Sequence, residues 1–423
     1  MRGLFQVIPV EEAKARLVAE LAPCIERRAL IGGHTERVSL LGGLGRILAC
    51  DIVSPVNLPG FPKSTVDGFA VTARDTFGAS DSLPSYVELA GEVRIGESPA
   101  TAGGPGRALR IPTGGMLPAA HDAVVMLEYA DEPGDGTIEI RRAVVPGENV
   151  MEADEDVRKG EILMKRGRPL RPQDLGALGG IGMAEVPVAV KPTVALISTG
   201  DEIVPPGDSL APGKVYDINS YSLASLVAEA GGVPLVLGVI GDRFDELLAA
   251  ARDGLERSEL LVICGGSSVG TRDHTLGVIE ALSQSAGRIF VHGLAIRPGK
   301  PCLMATTGDK LIFGLPGHPV SAMTTFRLFV LRAIHALLGV NAEAARTRPI
   351  TARLARNLPS ASGRDDFYRV RLVLAGGPGE FVAEPILSKS GAISSMVRAH
   401  GLVRVPSHRD GILEGETVEV ELI

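Results

Sequence analysis

Cysteine is scarce in this sequence, and the few cysteines form no recognisable motif. No two of them have the C-x-x-C spacing used by zinc ribbons and by dithiol redox sites. The four are Cys24, Cys50, Cys264 and Cys302. Cys264 lies within an apolar run, where a free thiol behaves as a small apolar residue. We therefore expect reduced cysteines, as in a cytosolic protein, and no zinc ribbon.

Dense basic clusters and long uninterrupted apolar runs are also missing. The 423 residues carry a formal net charge of -7, so a nucleic-acid partner is not expected. No stretch of about 18 residues lacks a charge, a glycine or a proline, and no signal-like apolar region precedes the first acidic residues. We expect a soluble, cytoplasmic protein without a membrane span.

Three apolar runs in the second half of the chain each end in a turn rich in glycine. Residues 194–197 precede the turn 198–202, residues 260–264 precede 265–270, and residues 311–315 precede 316–319. Such runs predict strands that are buried on both faces, as in parallel sheets. Because ligands bind beyond the carboxyl ends of parallel strands, we expect the three turns to converge on one pocket.

The order of the patterns predicts a multi-domain protein. Strand and helix patterns alternate from about residue 192, which indicates a doubly wound α/β domain. Residues 57–150 are rich in Gly and Pro with short β-like runs, and the segments on either side of them are expected to pack together. The predicted domains are 1–56 plus 151–186 (mixed α/β), 57–150 (an inserted β-rich domain), 187–346 (α/β) and 347–423 (all-β, barrel-like).

Carboxylates follow the same strands as the glycine turns. Asp201 and Glu202 follow the first run, Asp242 follows the next strand, and Asp273 follows the second glycine turn and opens a helix. Carboxylates around an anion site would repel the anion unless a hard cation bridges them, so we predict Mg²⁺. The alternative for any one of them is solvation or helix capping, for which Asp273 is well situated.

Two further segments have two interpretations each. The turn 265–270 could hold a phosphate with backbone N–H groups and two hydroxyls, or only close a strand; it is neither a P-loop nor a G-x-G-x-x-G fingerprint. Arg297 and Lys300 flank another turn, where they could bind an anion or remain surface cations.

Residues 58–70 are stiffened by two prolines before the turn at Asp67-Gly68. This segment is either a domain linker that ends in a turn or a rigid turn that presents Asp67 as a catalytic or metal-binding group.

Taken together and in this order, the segments resemble the MoeA/gephyrin family of molybdopterin molybdenumtransferases. The resemblance spans nearly the whole chain, and the ordered series is more specific than any one motif. The matching stretches are LPGFPKSTVDGFAV, IPTGGMLPAAHDAVVMLE, VPGENV followed by EDV, ALISTGDEIV with YDINSYSL, CGGSSVGTRDHT, LAIRPGKP, LPGHPVSAMTTF, GRDDFYRVRL and SGAISSM.

The resemblance implies a four-domain, elongated homodimer with an α/β domain like that of molybdopterin-adenylating proteins. Such enzymes insert molybdate into adenylylated molybdopterin with Mg²⁺ or a similar ion, which releases AMP and yields molybdenum cofactor. A molybdopterin adenylyltransferase would be a partner in supplying the substrate.

The matched motifs also imply roles for individual residues. The catalytic residues would be Asp67, Asp156, Glu202, Asp242 and Asp273, and the metal ligands would be Asp201, Glu202, Asp242 and Asp273. The pterin, phosphate and oxyanion would be held by Thr113, Thr199, Gly200, Gly265, Gly266, Ser267, Ser268, Gly270, Arg297, Lys300, Pro316, Gly317 and Ser390. Asp67, Thr113 and Asp156 would face the cleft of the partner subunit.

The chain departs from the family pattern chiefly at cations. The departures are at residues 151–154, Lys63, Leu276, Gly293, Arg297 and His318. Many members have Lys where Gly293 and Leu276 lie, and a common Asn is replaced by His318. The missing cations favour a non-catalytic binding or scaffold protein, whereas the retained carboxylates favour turnover. A third hypothesis, a metal-assisted phosphoanhydride hydrolase, needs the carboxylates but not the molybdate-binding cations.

Overall fold

The protein is built from an α/β unit, a mixed unit formed by two separate segments, an inserted β-sheet unit and a C-terminal barrel. The computed structural model describes residues 6–30, 34–100, 103–265, 274–284, 287–341, 349–377 and 379–423.

The α/β unit is organised around one mixed sheet. Its six strands lie in the order Val233–Ile240, Thr193–Thr199, Leu260–Cys264, Lys310–Leu315, Leu303–Thr307 and Ile289–His292. The first four are parallel, and the last two join by antiparallel pairing. The three strands that precede the glycine turns are buried along almost their whole length, so the predicted burial on both faces is confirmed.

Helices cover both faces of this sheet. One face carries Val10–Leu30, Asn219–Glu229 and the run Pro319–Leu338. The other face carries Phe244–Glu256 and His274–Ser283. This two-sided cover removes the strands from water and explains why they are apolar throughout rather than alternating.

Among the described residues, Pro319–Leu338 is the one helical run whose length and composition would suit a membrane span, with a mean hydropathy of 1.3. It consists of Pro319–Thr325, the π-helical turn Phe326–Val330 and Leu331–Leu338. Phe326 and Phe329 are fully buried in the core against the sheet. This burial accounts for the apolar composition of the run.

The mixed unit joins segments from both sides of the insertion. Thr35–Ser39 pairs with Glu185–Ala189, and Ile52–Val53 pairs with Ile162–Met164. Helix Pro172–Gly180 packs on them. The segments that flank the insertion therefore share a core, as the sequence predicted.

The inserted unit is a twisted sheet with one parallel pair. Its strands lie in the order Ala123–Met126, Gly68–Val71, Arg107–Ile111, Ser85–Glu92, Thr137–Ile140 and Ala130–Asp131. A short pair, Lys63–Ser64 with Val150–Met151, lies where the chain enters and leaves this unit. Single 3₁₀ turns occur in this unit at Ala73–Thr76 and Leu127–Tyr129, and in the mixed unit at Leu40–Gly42.

The C-terminal unit is a closed five-stranded barrel. Around the barrel the strands are Asp365–Leu374, Phe381–Pro385, Ile350–Leu354, Thr417–Leu422 and Gly401–Val405, which pairs back to the first. Leu358–Pro359 pairs with Gly411–Ile412, and one short helix, Ser394–Val397, lies outside the barrel. Closure leaves no free sheet edge between these strands.

The predicted fold class is confirmed in all four parts. Helix Val10–Leu30 contributes Val10, Ala13 and Leu17 to the core of the α/β unit, although the sequence grouped it with residues 35–56. The domain boundaries themselves stay predictions.

Candidate functional site

The three glycine turns meet at one edge of the α/β sheet. The N–H of Gly265 donates to the carbonyl oxygen of Leu315 at 3.1 Å. A Cβ on Gly265 would lie 2.1 Å from the carbonyl oxygen of Thr199, and one on Gly317 would lie 3.4 Å from Cα of Gly265. The predicted convergence of the turns is therefore confirmed, and it depends on backbone contacts that leave no room for a side chain at Gly265.

The second glycine turn is described at its first residue, Gly265. Residues 266–273 lie outside the described residues, and this range includes Gly266, Ser267, Ser268, Gly270 and Asp273. The hydroxyl of Thr275, at the start of the next helix, donates a hydrogen bond to the carbonyl oxygen of Gly265 at 3.2 Å. This bond links the start of the helix to the end of strand Leu260–Cys264.

Two of the predicted carboxylates are linked to each other at this edge. Asp242 Oδ1 accepts a hydrogen bond from the hydroxyl of Thr199 at 2.8 Å, and Asp201 Oδ1 accepts one from the N–H of Asp242 at 3.0 Å. The carboxylate of Glu202 lies over Gly200, where a Cβ would be 2.7 Å from Glu202 Oε2. Asp201 and Glu202 are exposed and Asp242 is half-buried, so all three are open to a ligand.

The arrangement of acidic groups limits which metal these residues could hold. In the described part of the chain, no three His, Cys, Asp or Glu side chains form a group able to hold a metal ion. Mg²⁺ is usually bound by one or two carboxylates and by phosphate oxygens of the substrate, not by a cage of protein ligands. Asp201 and Asp242 have the oxygen donors that Mg²⁺ prefers, whereas zinc is usually bound by His and Cys.

A buried polar network below this edge was missed by sequence reasoning. Asp217 Oδ1 accepts hydrogen bonds from the Ser198 hydroxyl at 3.2 Å and from the Ser220 N–H at 3.0 Å. Asn219 Nδ2 donates to the carbonyl oxygen of Gly317 at 2.7 Å, which connects the start of helix Asn219–Glu229 to the third turn. The signal was an Asp and an Asn directly before an amphipathic run, a typical N-cap pattern.

The two predicted cations lie on a neighbouring connection. Strand Ile289–His292 runs in the same direction as Lys310–Leu315, because both are antiparallel to Leu303–Thr307. The connection 293–302 therefore leaves the sheet at the edge where the glycine turns meet. Arg297 is exposed there and pairs through its backbone with the barrel strand at Asp366, so it lies at the seam between two units.

A third group of predicted residues lies in and beside the inserted unit. Asp67 Oδ1 accepts hydrogen bonds from the N–H of Thr113 at 2.7 Å and from its hydroxyl at 2.9 Å. These two bonds, the backbone one first, hold the pKa of Asp67 below its ordinary value. The N–H of Asp156 donates to the carbonyl oxygen of Leu58 at 3.0 Å. The structure thus joins Asp67 directly to Thr113 and ties Asp156 to the start of the segment that carries Asp67.

The turn that contains His318 is in contact with the C-terminal unit. A hydrogen bond of 2.8 Å joins Nδ1 of His318 and the hydroxyl of Ser390. The N–H of Val320 donates to the carbonyl oxygen of Ser390 at 3.1 Å. Ser390, the predicted site residue farthest along the chain, is therefore brought to the third glycine turn.

Known proteins are similar to this chain over almost its whole length. A molybdopterin molybdenumtransferase from Bacillus subtilis (strain 168) is 34% identical over 420 residues, which is 98% of this chain and 94% of that protein. Family models match residues 8–182 ("MoeA N-terminal region (domain I and II)"), 195–336 ("Probable molybdopterin binding domain") and 351–423 ("MoeA C-terminal region (domain IV)"). The chain belongs to the MoeA family.

Solved MoeA structures have the same overall fold. The molybdopterin biosynthesis MoeA protein from Pyrococcus horikoshii OT3 superposes with a TM-score of 0.84 at 30% identity, covering 99% of this chain and 100% of that chain. A second Pyrococcus MoeA structure gives a TM-score of 0.80 at 38% identity and covers 99% of both chains. The predicted family, fold and enzyme class, a transferase, are confirmed, whereas the individual site roles stay predictions.

The close backbone approach at Gly265 predicts a large cost for a side chain there. Gly265→Ala should lower the free energy of unfolding by about 1–3 kcal/mol more than Gly207→Ala does. Both glycines have positive φ, +120° and +101°, but a Cβ on Gly207 meets nothing within 4 Å. Urea unfolding followed by circular dichroism measures both costs, and equal costs would show that the contact with Thr199 relaxes freely.

The hydrogen bonds of Thr113 predict how Asp67 titrates. Thr113→Val removes the hydroxyl and keeps the N–H, so the pKa of Asp67 should rise part of the way to its ordinary value, whereas Thr113→Ser should leave it unchanged. Because the folded pKa is depressed, the bonds stabilise the fold at higher pH and this stabilisation is lost as pH falls through that value. Carboxyl-carbon NMR titration measures the shift; a Val variant that titrates like the wild type would contradict this account.

Proposed function

We propose that this protein inserts molybdenum into adenylylated molybdopterin, with release of AMP and formation of molybdenum cofactor. The observation that carries the proposal is the meeting of three glycine turns with Asp201, Glu202 and Asp242 at one sheet edge. This edge belongs to the segment that matches a molybdopterin-binding domain. Relatives over almost the whole chain are named molybdopterin molybdenumtransferase.

The reaction requires three groups to be held together: Mg²⁺, the phosphoanhydride of the adenylylated molybdopterin, and molybdate. When two thiol sulfurs replace one oxygen of molybdate, the thiol protons leave with that oxygen as water; cleavage of the phosphoanhydride consumes one water and yields AMP. Little of this needs covalent help from side chains, so positioning and electrostatic stabilisation supply the acceleration. The glycine turns let backbone N–H groups approach phosphate, and Arg297 and Lys300 supply positive charge at the same edge.

In this proposal Mg²⁺ would be held by Asp201 and Asp242, with Glu202 as a further acidic group on the same turn. When bound, the ion would neutralise phosphate charge that the carboxylates alone would repel. The hydroxyl of Thr199 keeps one oxygen of Asp242 in place, and the N–H of Asp242 does the same for Asp201. The carboxylates are thus oriented before any ligand arrives.

A direct assay tests the function. Purified protein with adenylylated molybdopterin and Mg²⁺ should release AMP only when molybdate is present. Asp242→Asn and Asp273→Asn should each lower the rate at least about a hundredfold while Asp208→Asn, an exposed change on a neighbouring loop, leaves it unchanged.

The other outcomes of this assay separate the competing functions. AMP release that is equally fast without molybdate would identify a phosphoanhydride hydrolase. A folded protein that binds the substrate but releases no AMP would identify a binding or scaffold protein. Full activity in both Asn variants would mean that the carboxylates are wrongly assigned.

We further propose a homodimer in which Asp67, Thr113 and Asp156 complete the cleft of the partner subunit. In one chain their hydrogen bonds lie within and beside the inserted unit, whereas Asp242 is bonded to the α/β unit. The carboxylates therefore form two groups on different units. In the proposed dimer, the group from one subunit's inserted unit faces the group on its partner's α/β unit.

Subunit mixing tests the shared site. Asp67→Asn and Asp242→Asn homodimers should both be inactive. Refolding them together should restore about a quarter of wild-type activity, because half of the dimers are mixed and each mixed dimer has one intact site of two. No recovery, with mixed dimers demonstrated by mass, would show that Asp67 and Asp242 serve the same subunit's site or unrelated sites.

A further inference from the structure

The segment Ser388–Ser390 of the C-terminal unit is held at both of its ends. Arg369 lies on a barrel strand and is only 6% exposed. Its Nη2 donates to the carbonyl oxygen of Ser388 at 2.7 Å and to the Ser388 hydroxyl at 3.2 Å. At the other end, Ser390 is bonded by His318 through its hydroxyl and by Val320 through its carbonyl oxygen. The segment is therefore fixed between the barrel and the α/β unit.

The anchored segment also contains a cation. Lys389 stands between the two anchored serines, is exposed, and forms no ion pair with the residues that the structure describes. His318 directly follows Gly317, whose Cβ position lies 3.4 Å from Gly265. Lys389 is thus one residue away from a serine that touches the third glycine turn.

The two bonds to Ser390 have separable consequences. The bond from the Val320 N–H involves only backbone atoms, so it docks the segment whatever side chain occupies position 318. The bond between His318 and the Ser390 hydroxyl instead orients that hydroxyl. When Nδ1 of His318 is the donor, the hydroxyl hydrogen of Ser390 remains available to an anion.

We propose that His318 is a positioning residue that aims the Ser390 hydroxyl, with Lys389 beside it, at the oxyanion substrate. A hydroxyl donor and an adjacent ammonium form a natural binding pair for a tetrahedral dianion. Lys389 and the Ser390 hydroxyl thus supply, from the barrel unit, a positive charge and a hydrogen-bond donor. Many family members have Lys, which supplies both, at the positions of Gly293 and Leu276. The identity of the oxyanion as molybdate rests on the proposed function.

Equilibrium binding of molybdate to the protein alone, measured by calorimetry, tests the proposal. Ser390→Ala and Lys389→Ala should each weaken binding about tenfold, as expected for loss of a hydrogen bond to a charged group. His318→Ala should weaken binding by a similar factor, whereas His318→Asn, which keeps a side-chain donor, should bind almost like the wild type. Lys159→Ala, a change of an exposed lysine on the mixed unit, is the matched control and should have no effect.

A double-mutant cycle distinguishes positioning from direct contact. If His318 acts through Ser390, the His318→Ala/Ser390→Ala double variant should bind no more weakly than Ser390→Ala alone. Additive losses, wild-type affinity in His318→Ala, or equal losses in His318→Asn and His318→Ala would each overturn the proposal. Unchanged thermal unfolding of the variants, expected because the Val320 and Arg369 bonds persist, shows that the losses are local.

The binding experiment is independent of turnover. Molybdate-dependent AMP release combined with wild-type molybdate affinity in His318→Ala would retain the function and reject the positioning role. Molybdate binding that depends on His318, without AMP release, would retain the positioning role and reject the function. A folded wild type that binds no molybdate would reject the positioning role.

Discussion

The contact between the backbones of Gly265 and Thr199 is the constraint on which the candidate site depends. A Cβ at position 265 would lie 2.1 Å from the carbonyl oxygen of Thr199, well inside the closest approach of two such atoms. Only glycine allows the two strand ends to come this close. The contact brings the turns after Thr199, Cys264 and Leu315 to one edge, and the bonds of Asp242 and of Ser390 are made to these turns.

The C-terminal barrel is joined to this edge through a few polar bonds and backbone pairings. Arg297 pairs by its backbone with the barrel strand, and Ser390 returns from the barrel to the turn at His318. Arg404 joins the same barrel to helix Val10–Leu30 by bonding both Asp365 and Glu11, at 2.9 Å and 3.0 Å. Because Asp365 is buried, its pairing with Arg404 satisfies a charge that would otherwise be costly inside the protein. The barrel is thus part of the site's framework.

Much of the fold was predictable because the strands and helices here follow simple periodicities. Strand Leu260–Cys264 begins and ends at the residues of the predicted apolar run, since an uninterrupted run of apolar residues leaves little ambiguity. Residues 1–56 were assigned to the mixed domain, but helix Val10–Leu30 packs on the α/β core, because periodicity shows that a helix has an apolar face without showing what covers it.

The site was predictable to the same extent and for the same reason. Carboxylates and glycines at strand ends identified the edge, because the direction of a parallel strand determines where its turn must lie. The roles of Asp217 and Asn219 as buried bonding groups, and the bond between His318 and Ser390, join residues from separate parts of the fold. The sequence by itself determined the elements, the family and the acidic edge, since these depend on local pattern and motif order. Only the tertiary structure decided that His318 meets Ser390 and that Asp67 meets Thr113, since distances across the fold depend on how distant segments pack.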